Sequence, residues 1–196
     1  MLEALAEIDR SVFYWINQGQ HNPLFDTLMP FITGSGNWHI PILVVWTSLL
    51  LFGGRRGRIA AVLVIPLITI SDQSSSHFLK HAFERTRPCH ALAEVHLLAG
   101  CSGSFSMPSS HAANFGAAAF HFSFFYPRLT GVLMTLAVAV AYSRVYVGVH
   151  YPFDTVIGLT VGLLAALAIQ GFRRGIARIA KRAETRVAAA CLSLCR

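Results

Sequence analysis

Apolar stretches close to the ~20 residues needed to cross a bilayer recur five times in this 196-residue chain, at about 37–53, 59–83, 109–126, 129–148 and 153–172. That recurrence removes most folds from consideration. Backbone groups in lipid have no water to bond with, so a spanning segment must satisfy them internally, as a helix does. Charged residues make up only 13% of the chain, against about 25% in soluble domains, and mean hydropathy is +0.53. The expected fold is all-α, a polytopic membrane helix bundle with five full spans, forming a single integral-membrane domain over 1–196.

The first 36 residues read differently. Leu5, Ile8, Val12, Phe13 and Ile16 recur at helical spacing with charges between them, which suits a helix lying in the membrane interface. Asn22-Pro23 ends it, residues 24–33 form a second short apolar helix, and Gly34-Ser35-Gly36 leads into the first strong span. The chain therefore divides into N-terminal interfacial or re-entrant helices (1–36), a membrane bundle (37–172) and a basic tail (173–196). In a six-span alternative, residues 22–34 would also cross. Glu3, Glu7, Asp9 and Arg10 stand where a cleavable signal peptide would need an apolar core.

Orientation follows from the excess of Lys and Arg in cytoplasmic loops. Arg55, Arg56 and Arg58, then Arg128, then the tail from Arg173 onward fall on one side if the spans alternate, and together hold 11 of the 16 basic residues. That side, with the C-terminus, is expected to be cytoplasmic. The net charge of +7 then reports topology, and no nucleic-acid partner is expected.

The opposite ends of the spans gather the chemistry. Lys80-x6-Arg87-Pro88, Pro108-Ser109-Ser110-His111 and Ser143-Arg144-x5-His150-x3-Asp154 place three permanent cations, two histidines and a carboxylate near the outward-facing ends. Ionisable groups in membrane segments are costly and are functional candidates by default. Arginine, lysine and hydroxyl donors suit phosphate oxygens, and a histidine four residues before an aspartate offers a nucleophile or base with an orienting partner. Each residue has an ordinary alternative: Lys80 and Arg87 could snorkel to headgroups, Pro108 and Ser109 could merely start a helix, and His150 with Asp154 could be a structural pair. All of these holding at once, at these spacings, is the less economical reading. The set reads as a phosphoryl-transfer site.

The pattern resembles that of the type 2 phosphatidic acid phosphatase family, membrane lipid phosphatases related to vanadium haloperoxidases. All three family elements, K-x6-RP, PSGH and SR-x5-H-x3-D, occur in order over Lys80–Asp154, with Ser110 in the place of the family's glycine. The resemblance implies that Lys80, Arg87 and Arg144 bind the phosphoryl oxygens, with Ser109, Ser110 and the loop amides adding donors at a helix N-terminus. It implies that His150 attacks phosphorus to form a phosphohistidine, Asp154 orients His150, and His111 protonates the leaving oxygen and then activates water. No cofactor or metal is expected. The expected partners are the bilayer and a lipid phosphate. Compact bacterial undecaprenyl diphosphate phosphatases are the most similar in build, which implies a bacterial inner-membrane enzyme with its site facing the periplasm or exterior. Phosphatidylglycerophosphate, phosphatidate and lipid A phosphates remain alternative substrates, and a non-hydrolytic lipid-phosphate transporter is the alternative of another class. Oligomeric state is not legible.

Four further features complete the reading. His77 and His81, with His90 and His96 nearby, could be imagined as a zinc site. Asp72, among Gln73, Ser74, Ser75 and Ser76, must face other helices, as a packing network or a brace for the site. Arg85, two residues before Arg87, falls outside the pattern and is expected to be a neutral neighbour. Cys89 and Cys101 lie in a loop placed outside the cytoplasm, where a disulfide persists and would tie the first motif to the second; Cys191 and Cys195 in the tail are expected to stay reduced.

Overall fold

The computed structural model describes residues 2–194, and side chains over 3–185. Among these residues the chain is helical with no strand. The two N-terminal helices are α1 (Leu2–Asn17) and α2 (Pro23–Thr33). Asn22 caps α2 by accepting from the Phe25 amide at 3.0 Å, and Pro23 suits its first turn. A 55° bend then joins α2 to α3 (Gly36–Phe52). Next comes one long helix: α4 (Gly54–Gln73), a π-helical turn over Ser74–Leu79, and α5 (Lys80–Phe83). After a loop with the short α6 (Pro88–Ala91), the bundle closes with α7 (Ser110–Phe125), α8 (Thr130–Tyr146) and α9 (Pro152–Leu194).

Three helical runs are long and apolar enough to cross a membrane, Gly54–Ala91, Pro127–Tyr146 and Pro152–Thr185, and the bent α2–α3 pair could supply a fourth. The expected count of five is therefore not reached on length and composition alone. The shortfall is α7, whose 16 residues extend only about 24 Å at 1.5 Å each. Its sequence explains its place. Ala112, Ala113, Ala117 and Ala119 are buried, so α7 is the small-residue core against which longer helices pack. Gly162 on α9 shows how close the approach is: a Cβ there would stand 2.4 Å from the Ala113 carbonyl oxygen. The alanines and glycines of 112–119 and 158–168 thus serve close helix packing.

α1 is amphipathic as expected, yet it does not simply lie on a surface. Asp9, Phe13 and Asn17, one helical turn apart, are fully buried. Phe13 joins Val145, Tyr146, Val147, Val149 and Tyr151 in an apolar cluster around the α8–α9 turn. Asn17 donates to the carbonyls of Tyr146 (2.7 Å) and His96 (2.8 Å) and accepts from the His96 amide (2.9 Å). The helix is a strut between the ends of α8 and α9 and the loop over 92–109. At the far end, α9 runs 43 residues, well beyond a span, so the basic tail continues the last membrane helix. The side chains of Cys191 and Cys195 lie outside the described residues.

Candidate active site

Each motif reaches the site for a local reason. The π-helical turn inserts one residue into the long α4–α5 helix just before Lys80. Such bulges re-aim the next turn of helix and concentrate at functional sites. Lys80 is buried, and its Nζ donates to the Ser104 hydroxyl at 3.2 Å. Arg87 comes after the loop that leaves α5, with Pro88 starting α6. Ser109 caps α7: its hydroxyl accepts from the Ala112 amide at 3.5 Å, and its own amide donates to the Asp154 carbonyl at 2.9 Å. His111 therefore sits in the first turn of α7, half-buried, near enough to feel the charges of Arg144, Lys80 and Arg87.

The third motif turns on Gly148. α8 ends at Tyr146, and Gly148 takes a φ of +85° that favours glycine. A Cβ there would also stand 2.6 Å from Val95 and 3.1 Å from the His96 carbonyl oxygen. The reversal carries His150 back over the end of α8, where its amide donates to the Arg144 carbonyl at 3.2 Å. Arg144 and His150 thus share one helix terminus, and Asp154 lies in the first turn of α9.

Arg87 is the hub. Its Nε donates to the Ser104 carbonyl (2.7 Å), Nη2 to the Ser104 hydroxyl (3.0 Å), and Nη1 to the Val149 carbonyl (3.1 Å), with His150 Nε2 at 3.2 Å from Nη1. An arginine has no acceptor, so a bond here requires the Nε2 lone pair to face the cations. The ring proton then sits on Nδ1, toward Asp154. Asp154 Oδ2 lies 3.5 Å from Nδ1, and Ser106 inserts between them: its hydroxyl is 3.4 Å from Nδ1 and bonds Oδ2, which also accepts from the Tyr151 amide at 2.9 Å. His150 lies in the turn between α8 and α9. Burial, reinforced by Arg144 and Arg87 and opposed by Asp154, pushes its pKa down to about 3. The imidazole is therefore neutral at physiological pH.

Arg144 donates from Nη1 to the Thr33 hydroxyl at 2.7 Å, while its Nε is buried without a partner among the described residues. Ser110 spends its hydroxyl elsewhere, 2.9 Å from Ser76, which reaches Asp72 at 3.4 Å; Asn114 also donates to Asp72 at 3.0 Å. Asp72 thus braces the first turn of α7 from α4. Cys89 and Cys101 are joined as a disulfide, their Cα atoms 6.4 Å apart.

Four participants were not legible in the motifs. Ser104 and Ser106 come from the irregular loop, with nothing local to mark them. Asp9 comes from α1, hidden among that helix's surface charges. The fourth corrects the reading of Arg85 as a neutral neighbour: it donates to Asp154 Oδ1 (2.8 Å) and Asp9 Oδ2 (2.7 Å), and its guanidinium lies 3.9 Å from the Tyr151 ring centre. Lys80, Arg87 and Arg144 are therefore not the only cations converging here. Burial pushes the Asp9 carboxyl up from its ordinary value, opposed by the Phe153 amide and Arg85.

Of the four histidines considered for zinc, three go to separate partners. His81 packs edge-on to Phe105, His90 Nε2 is 3.2 Å from Cys101 Sγ, and His96 is 3.2 Å from Asp26. Among the described residues, the one set of His, Cys and carboxylate ligand atoms close enough for an ion is Cys89, His90 and Cys101, two of which are already bonded to each other.

Known proteins resemble this chain in sequence and in fold. A sequence model of the PAP2 superfamily matches residues 60–176. A lipid A 4'-phosphatase of Bacteroides thetaiotaomicron is 34% identical over 171 residues, covering 83% of this chain and 75% of that protein. An undecaprenyl-diphosphatase of Sulfolobus acidocaldarius is 33% identical over 155 residues, covering 77% and 71%. The crystal structure of Aquifex aeolicus LpxE superposes with a TM-score of 0.64 at 25% identity, over 82% of this chain and 93% of that one.

Proposed function

We propose a reaction and a sidedness for this chain, which belongs to the PAP2 superfamily and is a membrane lipid phosphatase. The substrate phosphoryl group sits among Lys80, Arg87 and Arg144, with the amides at the start of α7 as further donors. Preorganised cations aimed at developing charge supply most of the stabilisation in such transfers. His150 Nε2 attacks phosphorus as the P–O bond to the leaving group breaks. Asp154, with Ser106, holds Nδ1–H and faces the positive charge that grows on the ring. His111 gives its proton to the leaving oxygen. It then takes one from the water that hydrolyses the phosphohistidine, which restores His150 and releases phosphate.

The observation that carries this reading is the 3.2 Å approach of Arg87 Nη1 to His150 Nε2, with Nδ1 turned to Asp154 and Ser106. It puts the nucleophilic lone pair where a cation would also hold a phosphoryl oxygen. A transporter would need the cations but not this tautomer, nor a second histidine in the first turn of α7.

The proposed topology is five spans, with α2–α3 as a bent first crossing, then α4–α5, α7, α8 and α9, and α1 packed at the site end. Basic residues gathered at the opposite ends support a cytoplasmic tail and a site facing the periplasm or exterior of a bacterial inner membrane. The proposed substrate is undecaprenyl diphosphate, converted to the monophosphate. A lipid A phosphate is the second reading, favoured by the similarity to lipid A 4'-phosphatases.

Phosphate release by the purified protein in detergent with EDTA, over a panel of undecaprenyl diphosphate, lipid A, phosphatidylglycerophosphate and phosphatidate, tests both levels. His150→Ala and His111→Ala should each be inactive while remaining monodisperse. Stopping turnover in acid-free denaturant should show phosphorylated protein in the wild type and none in His150→Ala. Turnover by His150→Ala would overturn the nucleophile assignment, and the preferred lipid in the panel selects the substrate.

A further inference from the structure

We infer that Arg85 is a positioning residue for the nucleophile, held in place by Asp9 of the N-terminal helix and acting through Asp154. The inference rests on the proposed role of His150.

Both terminal nitrogens of Arg85 are committed, Nη1 to Asp154 Oδ1 at 2.8 Å and Nη2 to Asp9 Oδ2 at 2.7 Å, and Tyr151 covers one face of the guanidinium. Both carboxylates are fully buried, whereas the Arg85 side chain is 22% exposed. Asp9 is itself oriented, because its Oδ1 accepts from the Phe153 amide at 2.9 Å. Asp154 is therefore gripped on two sides. Arg85 holds Oδ1, and Ser106 with the Tyr151 amide holds Oδ2, the oxygen that faces His150. The Arg85 backbone adds a second hold, since its carbonyl accepts from the Ser106 amide at 2.7 Å. One residue thus fixes both groups that face His150 Nδ1.

Charge makes the arrangement obligatory in this form. Arg85 is the cation shared by two buried carboxylates. Without it, Asp9 and Asp154 would be left in a low-dielectric setting and would come to hold a proton between them. Asp154 would then no longer oppose the full positive charge that His150 acquires on attacking phosphorus. Arg85 does not replace Arg87 in binding substrate: each of its terminal nitrogens is already bonded to a buried carboxylate, and it reaches His150 only through Asp154. This also explains why an amphipathic helix at the start of the chain buries an aspartate. Asp9 carries no chemistry of its own; it anchors the anchor.

The test uses the full-length protein and whichever panel lipid the wild type turns over, with kcat and KM measured separately. Arg85→Gln should lower kcat by about 10- to 100-fold, the range seen when partners behind a metal-bound histidine are removed, with KM within about twofold. Arg85→Gln/Asp9→Asn should recover about fivefold or more of that loss, because it removes the competing carboxylate. Arg85→Lys should fall between wild type and Arg85→Gln. Wild-type kcat in Arg85→Gln, a rise in KM at unchanged kcat, or no recovery in the double variant would each overturn the inference. If Arg85→Gln does not fold, Arg85→Lys decides by the same kcat and KM criteria. His150→Ala run alongside separates the two claims. Turnover by His150→Ala sinks the reading of the reaction, while a dead His150→Ala beside a fully active Arg85→Gln sinks only the role of Arg85.

Discussion

The two ends of this bundle hold arginines in opposite ways. At the site end, Arg85 and Arg87 are oriented by several partners each, among them buried carboxylates, hydroxyls and carbonyls. At the other end, Arg58 donates one bond to the Leu50 carbonyl, Arg56 rests over the Tyr126 ring, and Arg174, Arg178, Lys181 and Arg182 are exposed on the extension of α9. The same side chain therefore does two jobs. Where it is desolvated and multiply bonded it fixes geometry, and losing it strands other buried groups. Where it is hydrated it marks which side of the membrane it occupies, and each copy matters little.

Substitutions sharpen that contrast. The largest effect should come from Asp154→Asn, which leaves the shape but removes the charge behind His150. Neutralising the corresponding carboxylate in a Ser-His-Asp site costs about 10⁴-fold, and a loss of roughly 10³-fold or more in kcat is expected here. Arg87→Ala should cost about 10²- to 10³-fold, or about 2.7–4 kcal/mol of transition-state stabilisation. Arg87→Lys should not restore it, because lysine lacks the planar fork that reaches Ser104, Val149 and His150 together. Arg174→Ala and Arg178→Ala provide the comparison in the same kcat assay. A loss in either approaching that of Arg87→Ala would break the distinction between the two ends.

The loop disulfide should give the next effect. Closing a loop of this size stabilises by roughly 3 kcal/mol in the chain-entropy model. Cys89→Ser/Cys101→Ser should lower the thermal midpoint in detergent by several degrees. It should also lower activity, because the bridged loop delivers Ser104 and Ser106 to Arg87, Lys80 and Asp154. Equal midpoints with and without the bridge would mean that α1 and the bundle already hold the loop.

A smaller effect should accompany changes in pH. His150 is neutral in the fold, with a pKa lowered to about 3 from an ordinary 6.5. Its contribution to stability is complete above about pH 6.5 and is lost as pH falls from there toward 3, because the unfolded chain takes up the proton first. The thermal midpoint should decline over that window, and less steeply in His150→Gln. The smallest effect is expected at the exposed cations of α9: the Arg174→Ala and Arg178→Ala variants of the comparison above should keep kcat within about twofold of wild type.

Much of this molecule was legible in its residues. Five apolar stretches predicted helices that begin and end within a few residues of α3, α4–α5, α7, α8 and the membrane part of α9, because lipid leaves the backbone little choice. Asn22-Pro23 and Gly34-Ser35-Gly36 marked the breaks around α2, since capping and backbone freedom are local properties. The spacing of His150 and Asp154 is likewise local, one turn of chain at the start of α9.

Tertiary structure alone decided what joins those pieces. Ser104 and Ser106 lie in an irregular loop whose sequence has no periodicity to read, and they matter only because Arg87, Lys80, His150 and Asp154 converge on them. Asp9 looked like one more charge on an amphipathic helix, and Arg85 like a bystander. Their pairing spans 76 residues of chain, and burial gives it its force, since two carboxylates around one cation are ordinary in water and binding in a low-dielectric interior. Local sequence determined which helices form and which residues could do chemistry. The fold decided which charges lose their water together, and that determines which of them orient the site.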